Sequence, residues 1–435
     1  MPSPPRELLT HCLHAALAAV DGRRVTAAAL AGIALPRGCP VLAVGKAAPA
    51  MLAGAAERLG DRSGPALCIT RAGTARPGEP GADHARVLFG DHPVPGALSL
   101  AAGQELLAFL DRLPPDVPLL CLWSGGSSAL VEALPEGVSP EDLARANRWL
   151  LGSGLAIDAV NRVRARLSRL KAGRLAQRLA GRAVTVLAIS DVPGDAPDVI
   201  GSGPWTPPPR PLAGGWPSDL PAWLVRLLAS APPEPAPGDT ALAAVDYRVV
   251  ANGRLALGAA AEAARTAGVS STLHETPLQG AVEDAADRIL AAVAAGEPGL
   301  HAWSGETTVR LPPSPGAGGR NSHLALALAC ALDGREDVVA LCAATDGSDG
   351  TGEAAGGWAD GGVVGRGRAL GLDARDALAR ADSGSFLGAT GDALVTGPTG
   401  TNVMDLVFVV KEARAEAQRG RGARRSYIRV AGLGA

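Results

Sequence analysis

Six segments of the 435-residue chain set an apolar run of strand length, or a glycine-rich loop, before residues that bind anions or move protons. Residues 39–44 lead into Gly45 and Lys46. A basic residue there either points into the crevice where α/β proteins bind ligands or is an exposed turn lysine. Residues 119–123 lead into Ser124, Gly125, Gly126, Ser127 and Ser128. Strand, small-residue turn and helix start together aim unpaired backbone amides at an anion, and the helix end adds partial positive charge. Residues 184–189 deliver Asp191 and Asp195, and carboxylates directly after an apolar strand suggest metal coordination or a catalytic base. Residues 300–303 precede Glu306, and 338–343 precede Asp346 and Asp349. A glycine-rich loop, 312–319, opens a helix at Arg320 and Asn321. Arg320 there offers planar, bidentate contact to phosphate, with ordinary capping by Asn321 as the alternative.

A lysine, a small-residue anion cradle, an arginine and two carboxylate clusters are the parts that phosphoryl transfer uses. Other chemistries fit less well. Six residues, not four, separate Gly38 from Gly45, and Ala47 stands where a Walker A loop has Ser or Thr. No strand is followed by the GxGxxG of dinucleotide binders. Gly125-Gly-Ser127-Ser-Ala129 lacks the second glycine of a hydrolase nucleophile elbow, and the loop at 346–350 lacks the rest of an EF-hand. Asp91 and His92, held between a glycine and a proline, read as an ordinary turn.

The elements that must position these residues alternate. Strands at 39–44, 66–70, 86–89, 119–123 and 184–189, separated by helices, predict a parallel sheet covered on both faces. Eleven prolines in residues 204–240 mark a domain boundary. The chain therefore divides into an N-terminal α/β domain, 1–240, and a C-terminal α/β domain, 241–435, ending in a charged tail. Five basic residues in 161–173 read as a solvated helix face, although some could face an anionic cleft. A net charge of −2 argues against nucleic acid or anionic membrane as partner and for small molecules. Six scattered cysteines without a CxxC pair suggest reduced thiols in a cytoplasmic protein rather than disulfides or zinc. The apolar residues of 8–20 share one helical face, which reads as an amphipathic helix rather than a signal peptide.

The ordered motifs VGKAA (44–48), GDHPVP (90–95), SGGSSAL (124–130), SDVPGD (190–195), SGP (202–204), GGRNSHLAL (318–326), TDGSDG (345–350) and TGPTGTNVMDL (396–406) resemble the glycerate 2-kinases (type II glycerate kinases) with a C-terminal MOFRL domain. The resemblance implies two α/β domains, a Rossmann-like, nucleotide-binding N-terminal domain (1–240) with a doubly wound, mostly parallel sheet and a C-terminal domain with a MOFRL region at about 297–410, with the active site in the cleft between them. It implies transfer of the ATP γ-phosphoryl group to the 2-hydroxyl of D-glycerate with Mg2+. Lys46 and Arg320 match the family's active-site lysine and MOFRL-domain arginine. Asp191 is then the candidate base or metal ligand. Ser124, Gly125, Gly126, Ser127, Ser128 and Asn321 are placed at the nucleotide, and Asp195, Glu306, Asp346 and Asp349 are the acidic candidates for the metal. Ser322 departs from the commoner Gln. A hydroxypyruvate reductase using NAD(P)H is the alternative, and a homo-oligomer is left open.

Overall fold

A computed structural model describes residues 5–74, 85–153, 155, 157–207, 216, 219–232, 235, 239, 242 and 244–413. Much of the proline-rich stretch, including Ser218, and the tail beyond residue 413 lie outside the described residues. Two compact units form: Val20–Asn252 with Gly400–Val403, and Met1–Ala19 with Gly253–Thr399 and Met404–Ala435. This division differs from one at 240. The first sheet takes its last strand from beyond that point, and the first helix packs with the C-terminal half.

The first unit is built on β1 (Cys39–Val44), β2 (Ser63–Thr70), β3 (Ala85–Phe89), β4 (Leu119–Ser124), β5 (Val184–Ile189) and β6 (Val245–Ala251), in the order β3-β2-β1-β4-β5-β6. Every neighbouring pair is parallel. Every residue of β1 and β4 is buried, which is why these central strands read as unbroken apolar runs rather than alternating ones. Strand order reverses between β1 and β4, and in doubly wound sheets that reversal opens a crevice beyond the strands' carboxyl ends. Lys46 follows β1, the glycine-serine loop follows β4 and Asp191 follows β5.

The second unit contains β7 (Ser271–Leu273), β8 (Leu278–Ala281), β9 (Gly299–Thr308), β10 (Val338–Ala344), β11 (Gly356–Asp360), β12 (Ala393–Leu394) and β13 (Asp405–Lys411). Its order is β12-β11-β10-β13-β9-β7, with β8 also pairing β9. The α/β alternation expected of this half is present as far as β10, and it builds a mixed sheet. β7 and β8 run parallel to β9, whereas β13 inserts antiparallel between β9 and β10, and β11 and β12 add antiparallel pairs. Trp303-Ser-Gly therefore lies inside the long β9, unlike Trp123-Ser-Gly at the end of β4. Helix Pro5–Ala19 buries Leu8, Leu9, Cys12, Leu13 and Ala16 in this unit. Arg6 at its start joins Asp392 at 2.7 Å and Asp360, and Arg366 holds the same two carboxylates at 2.8 and 3.0 Å. No helix among the described residues is long and apolar enough to cross a membrane.

The basic stretch at 161–173 is not a uniformly solvated face: Arg169 is exposed, but Arg164, Arg166 and Lys171 are tied to protein partners. Lys171 is buried and pairs with the equally buried Glu132 at 2.7 Å. Arg166 donates to the Pro232 carbonyl at 2.7 Å, and Arg164 to Asn147 Oδ1 at 3.0 Å. Removing one member of a buried pair strands the other charge, whereas replacing both by apolar groups removes the desolvation cost as well. Lys171→Met should lower the unfolding free energy by about 3–5 kcal/mol in a denaturant titration. The Glu132→Leu/Lys171→Met double variant should recover most of that loss.

Candidate active site

In the first unit, the turns leaving β1 and β4 are bonded to each other. Lys46 N–H donates to the Gly125 carbonyl at 2.9 Å, and Ala47 N–H to Ser124 Oγ at 3.1 Å. Gly45 is required by that approach, since a Cβ on it would lie 2.1 Å from Ser124 Oγ. A Cβ on Gly126, whose φ is +85°, would lie 3.1 Å from Lys46 Cγ and 3.5 Å from His92 Cδ2. The lysine stem and the imidazole thus lie close around the second glycine. One on Gly125 would lie 1.9 Å from Asp191 Oδ2 and 2.2 Å from Asn402 Nδ2. Asn402 Nδ2 donates to Asp191 Oδ2 at 3.2 Å. The lysine, the glycine pair and the aspartate expected from sequence are brought together.

The three serines differ. Ser124 Oγ is spent on Ala47 N–H, and Ser128 Oγ meets Ser202 Oγ at 2.7 Å. Ser127 Oγ is buried without a hydrogen-bond partner. The helix expected after the loop is a single turn, Ser127–Leu130. So short a helix supplies little dipole.

Asp195 lies in the same loop as Asp191, at φ +56°, and accepts from Asn252 Nδ2 at 2.6 Å. Magnesium takes hard oxygen ligands, keeps several waters and is held by one or two carboxylates together with substrate phosphates. Asp191 and Asp195 fit that donor set. Among the described residues no group of three or more His, Cys, Asp and Glu side chains is gathered to hold a metal by itself.

In the second unit Arg320 opens the helix Arg320–Ala331. Its guanidinium makes a two-point contact with Asp405, Nε at 2.5 Å and Nη2 at 3.1 Å, and Nη2 also meets Glu306 at 2.5 Å. These carboxylates hold the guanidinium well above its ordinary range against the opposing effect of burial. Burial pushes the Asp405 carboxyl up to about 6, with Arg320 pulling the other way. Glu306, expected at a metal, is an arginine partner here. Asp349, expected likewise, is a buried helix cap: its oxygens accept from Asn321 N–H at 2.9 Å, Ser322 N–H at 2.7 Å and Ser322 Oγ at 2.7 Å. Asn321, expected at the nucleotide, is buried with its side-chain amide 3.3 Å from Asp349. Asp346 accepts from Ser348 N–H at 2.9 Å in a local turn. Glu306, Asp346 and Asp349 therefore do not form one ligand set.

Sequence reasoning read His92 as part of an ordinary turn and passed over Asn402 and Asp405, although all three lie inside motifs that it singled out. Asp91 is structural, accepting from Leu98 N–H at 2.9 Å and Ser99 N–H at 3.2 Å at the start of helix Ala97–Asp111. Because a methyl on Gly125 must displace both Asp191 and Asn402, Gly125→Ala should lower turnover at least about 100-fold, the scale of a misplaced catalytic group. Circular dichroism should show the fold retained.

Two family models match the chain: a domain of unknown function (DUF4147) over residues 8–215 and the MOFRL family over 300–405. A D-glycerate 2-kinase of Thermotoga maritima is 33% identical over 85% of this chain and 89% of its own length. A protein of Agrobacterium vitis, provisionally named a hydroxypyruvate reductase, is 35% identical over 85% of this chain and 98% of its own. The solved structure of a Thermotoga maritima glycerate kinase superposes with a TM-score of 0.79 at 32% identity, covering 93% of this chain and 99% of that one. On sequence, domain content and fold alike, the chain belongs to the glycerate kinase family with a MOFRL domain in its C-terminal part.

Proposed function

We propose that the protein is a glycerate 2-kinase, transferring the γ-phosphoryl group of ATP to the 2-hydroxyl of D-glycerate to give 2-phosphoglycerate and ADP. The observation that carries this reading is the meeting of Lys46, the Gly125-Gly126 turn and Asp191 at the point where strand order reverses in the first sheet. A loop of small residues beside a lysine suits nucleotide phosphates, because amides and ammonium oppose their charge without steric cost. Asp191, oriented by Asn402, would accept the proton of the attacking hydroxyl or hold a divalent ion with Asp195. Mg2+, when bound, neutralises phosphate charge as the phosphoryl group moves. Arg320 is fixed by Asp405, and a planar guanidinium so held suits a substrate carboxylate or a phosphoryl oxygen. The six free cysteines, five of them buried, support a reducing, cytoplasmic setting for this enzyme.

The reductase reading draws on the name given to the Agrobacterium relative. Against it, β1 runs into Gly-Lys-Ala-Ala rather than a dinucleotide fingerprint. Incubation with ATP, magnesium and D-glycerate should yield a product that enolase consumes without a mutase. A mutase requirement would indicate the 3-phosphate, and NADH oxidation on hydroxypyruvate without any kinase activity would favour the reductase. Lys46→Ala should reduce kcat by roughly two to five orders of magnitude, the range for a lost transition-state charge contact. Near-normal turnover in that variant would remove the lysine from the mechanism. Arg320→Ala should show a loss in the same range, and it leaves Asp405 buried without its cation. Its thermal unfolding must therefore be read beside its kinetics.

A further inference from the structure

Beyond the residues assigned above, Gly201, Ser202 and Gly203 form a run in the left-handed region, at φ +59°, +64° and +62°. Gly201 must be glycine on contact grounds, because a Cβ there would lie 2.3 Å from both Ser127 Oγ and Trp123 Nε1. The same holds for Gly203, where a Cβ would lie 2.5 Å from the Asp198 carbonyl. Ser202 between them is the exception. A serine in this conformation costs roughly 1–2 kcal/mol relative to a residue without a Cβ, and serine is not among the side chains that tolerate it best. Its backbone is fixed on both sides, the N–H donating to the Val199 carbonyl at 2.9 Å and the carbonyl accepting from Ala172 N–H at 3.0 Å. The feature that glycine could not supply is the hydroxyl, which lies 2.7 Å from Ser128 Oγ on the glycine-serine loop.

We infer that Ser202 is a positioning residue for that loop: its strained backbone holds its hydroxyl against Ser128 and so sets the Ser128 hydroxyl for the phosphates of the bound nucleotide. The inference rests on the kinase reading of the loop. A strained residue kept where glycine would relax the chain is a trade of stability for placement. Removing one neutral hydrogen bond that acts on nucleotide binding alone should change affinity by about three- to tenfold.

Ser202→Gly removes the hydroxymethyl group and with it both the contact to Ser128 and the backbone strain, so affinity and stability should move in opposite directions. With the full-length enzyme, D-glycerate and magnesium, Ser202→Gly should raise KM for ATP about three- to tenfold, leave kcat within twofold and leave the melting temperature equal or higher. Ser128→Ala should raise KM to a similar extent, and the double variant should be no worse than either single one, as expected of two groups that act through one contact. A merely structural serine would move the melting temperature and not KM. If wild type turns over and Ser202→Gly keeps its KM for ATP, or if the two substitutions add, the inference fails while the kinase assignment stands. If wild type transfers no phosphate from ATP to D-glycerate, the kinase assignment fails and takes this inference with it.

Discussion

The hydrogen-bonded junction between the ends of β1 and β4 is the constraint on which the site depends. The two strands lie side by side in register, Val44 opposite Trp123, and their connections then depart in opposite directions across the sheet. The Lys46 amide bonded to the Gly125 carbonyl, and the Ala47 amide bonded to Ser124 Oγ, keep the turns together after the sheet ends. Side chains would push them apart. Glycine at 45 is therefore a condition of contact, glycine at 125 leaves room for Asp191, and Lys46 lies against Gly126 on the same short loop. The local chemistry follows from backbone packing of two buried strands.

The second unit handles charge differently. Arg320 is about one-third exposed and is gripped by one buried and one exposed carboxylate. Such a cation is oriented before any ligand arrives, so little side-chain entropy remains to be lost on binding. Asp349, in the same unit, satisfies the first amides of the Arg320 helix and so fixes where that arginine starts. Acidic residues that resemble a ligand set in sequence thus divide into an arginine clamp, a helix cap and a turn.

What could be read from sequence was what is local. Lys46, the glycine-serine loop and Asp191 each follow an apolar strand within a few residues, so pattern and chemistry are adjacent on the chain. The partners that define their roles are distant: Asn402 lies 211 residues from Asp191, Asp405 85 residues from Arg320 and Ser202 74 residues from Ser128. No periodicity carries such pairings. Among strands, β11 was hidden by its two glycines and β12 by its two-residue length, whereas the wholly buried β1 and β4 were plain. The basic stretch at 161–173 misled for a related reason. Burial of Lys171 depends on Glu132, which composition alone does not connect to it.

The helix Pro5–Ala19 belongs with chain that is made after β6. A ribosome delivers it before β1, yet the rest of its unit, with the carboxylates that engage Arg6, comes from residues beyond 252. During synthesis this amphipathic helix precedes the remainder of its unit by all of β1 to β6. Neither unit is a continuous stretch of polypeptide, so no single cut can release one of them whole. The order in which the protein is made therefore separates this helix from the rest of its unit by the whole of the first sheet.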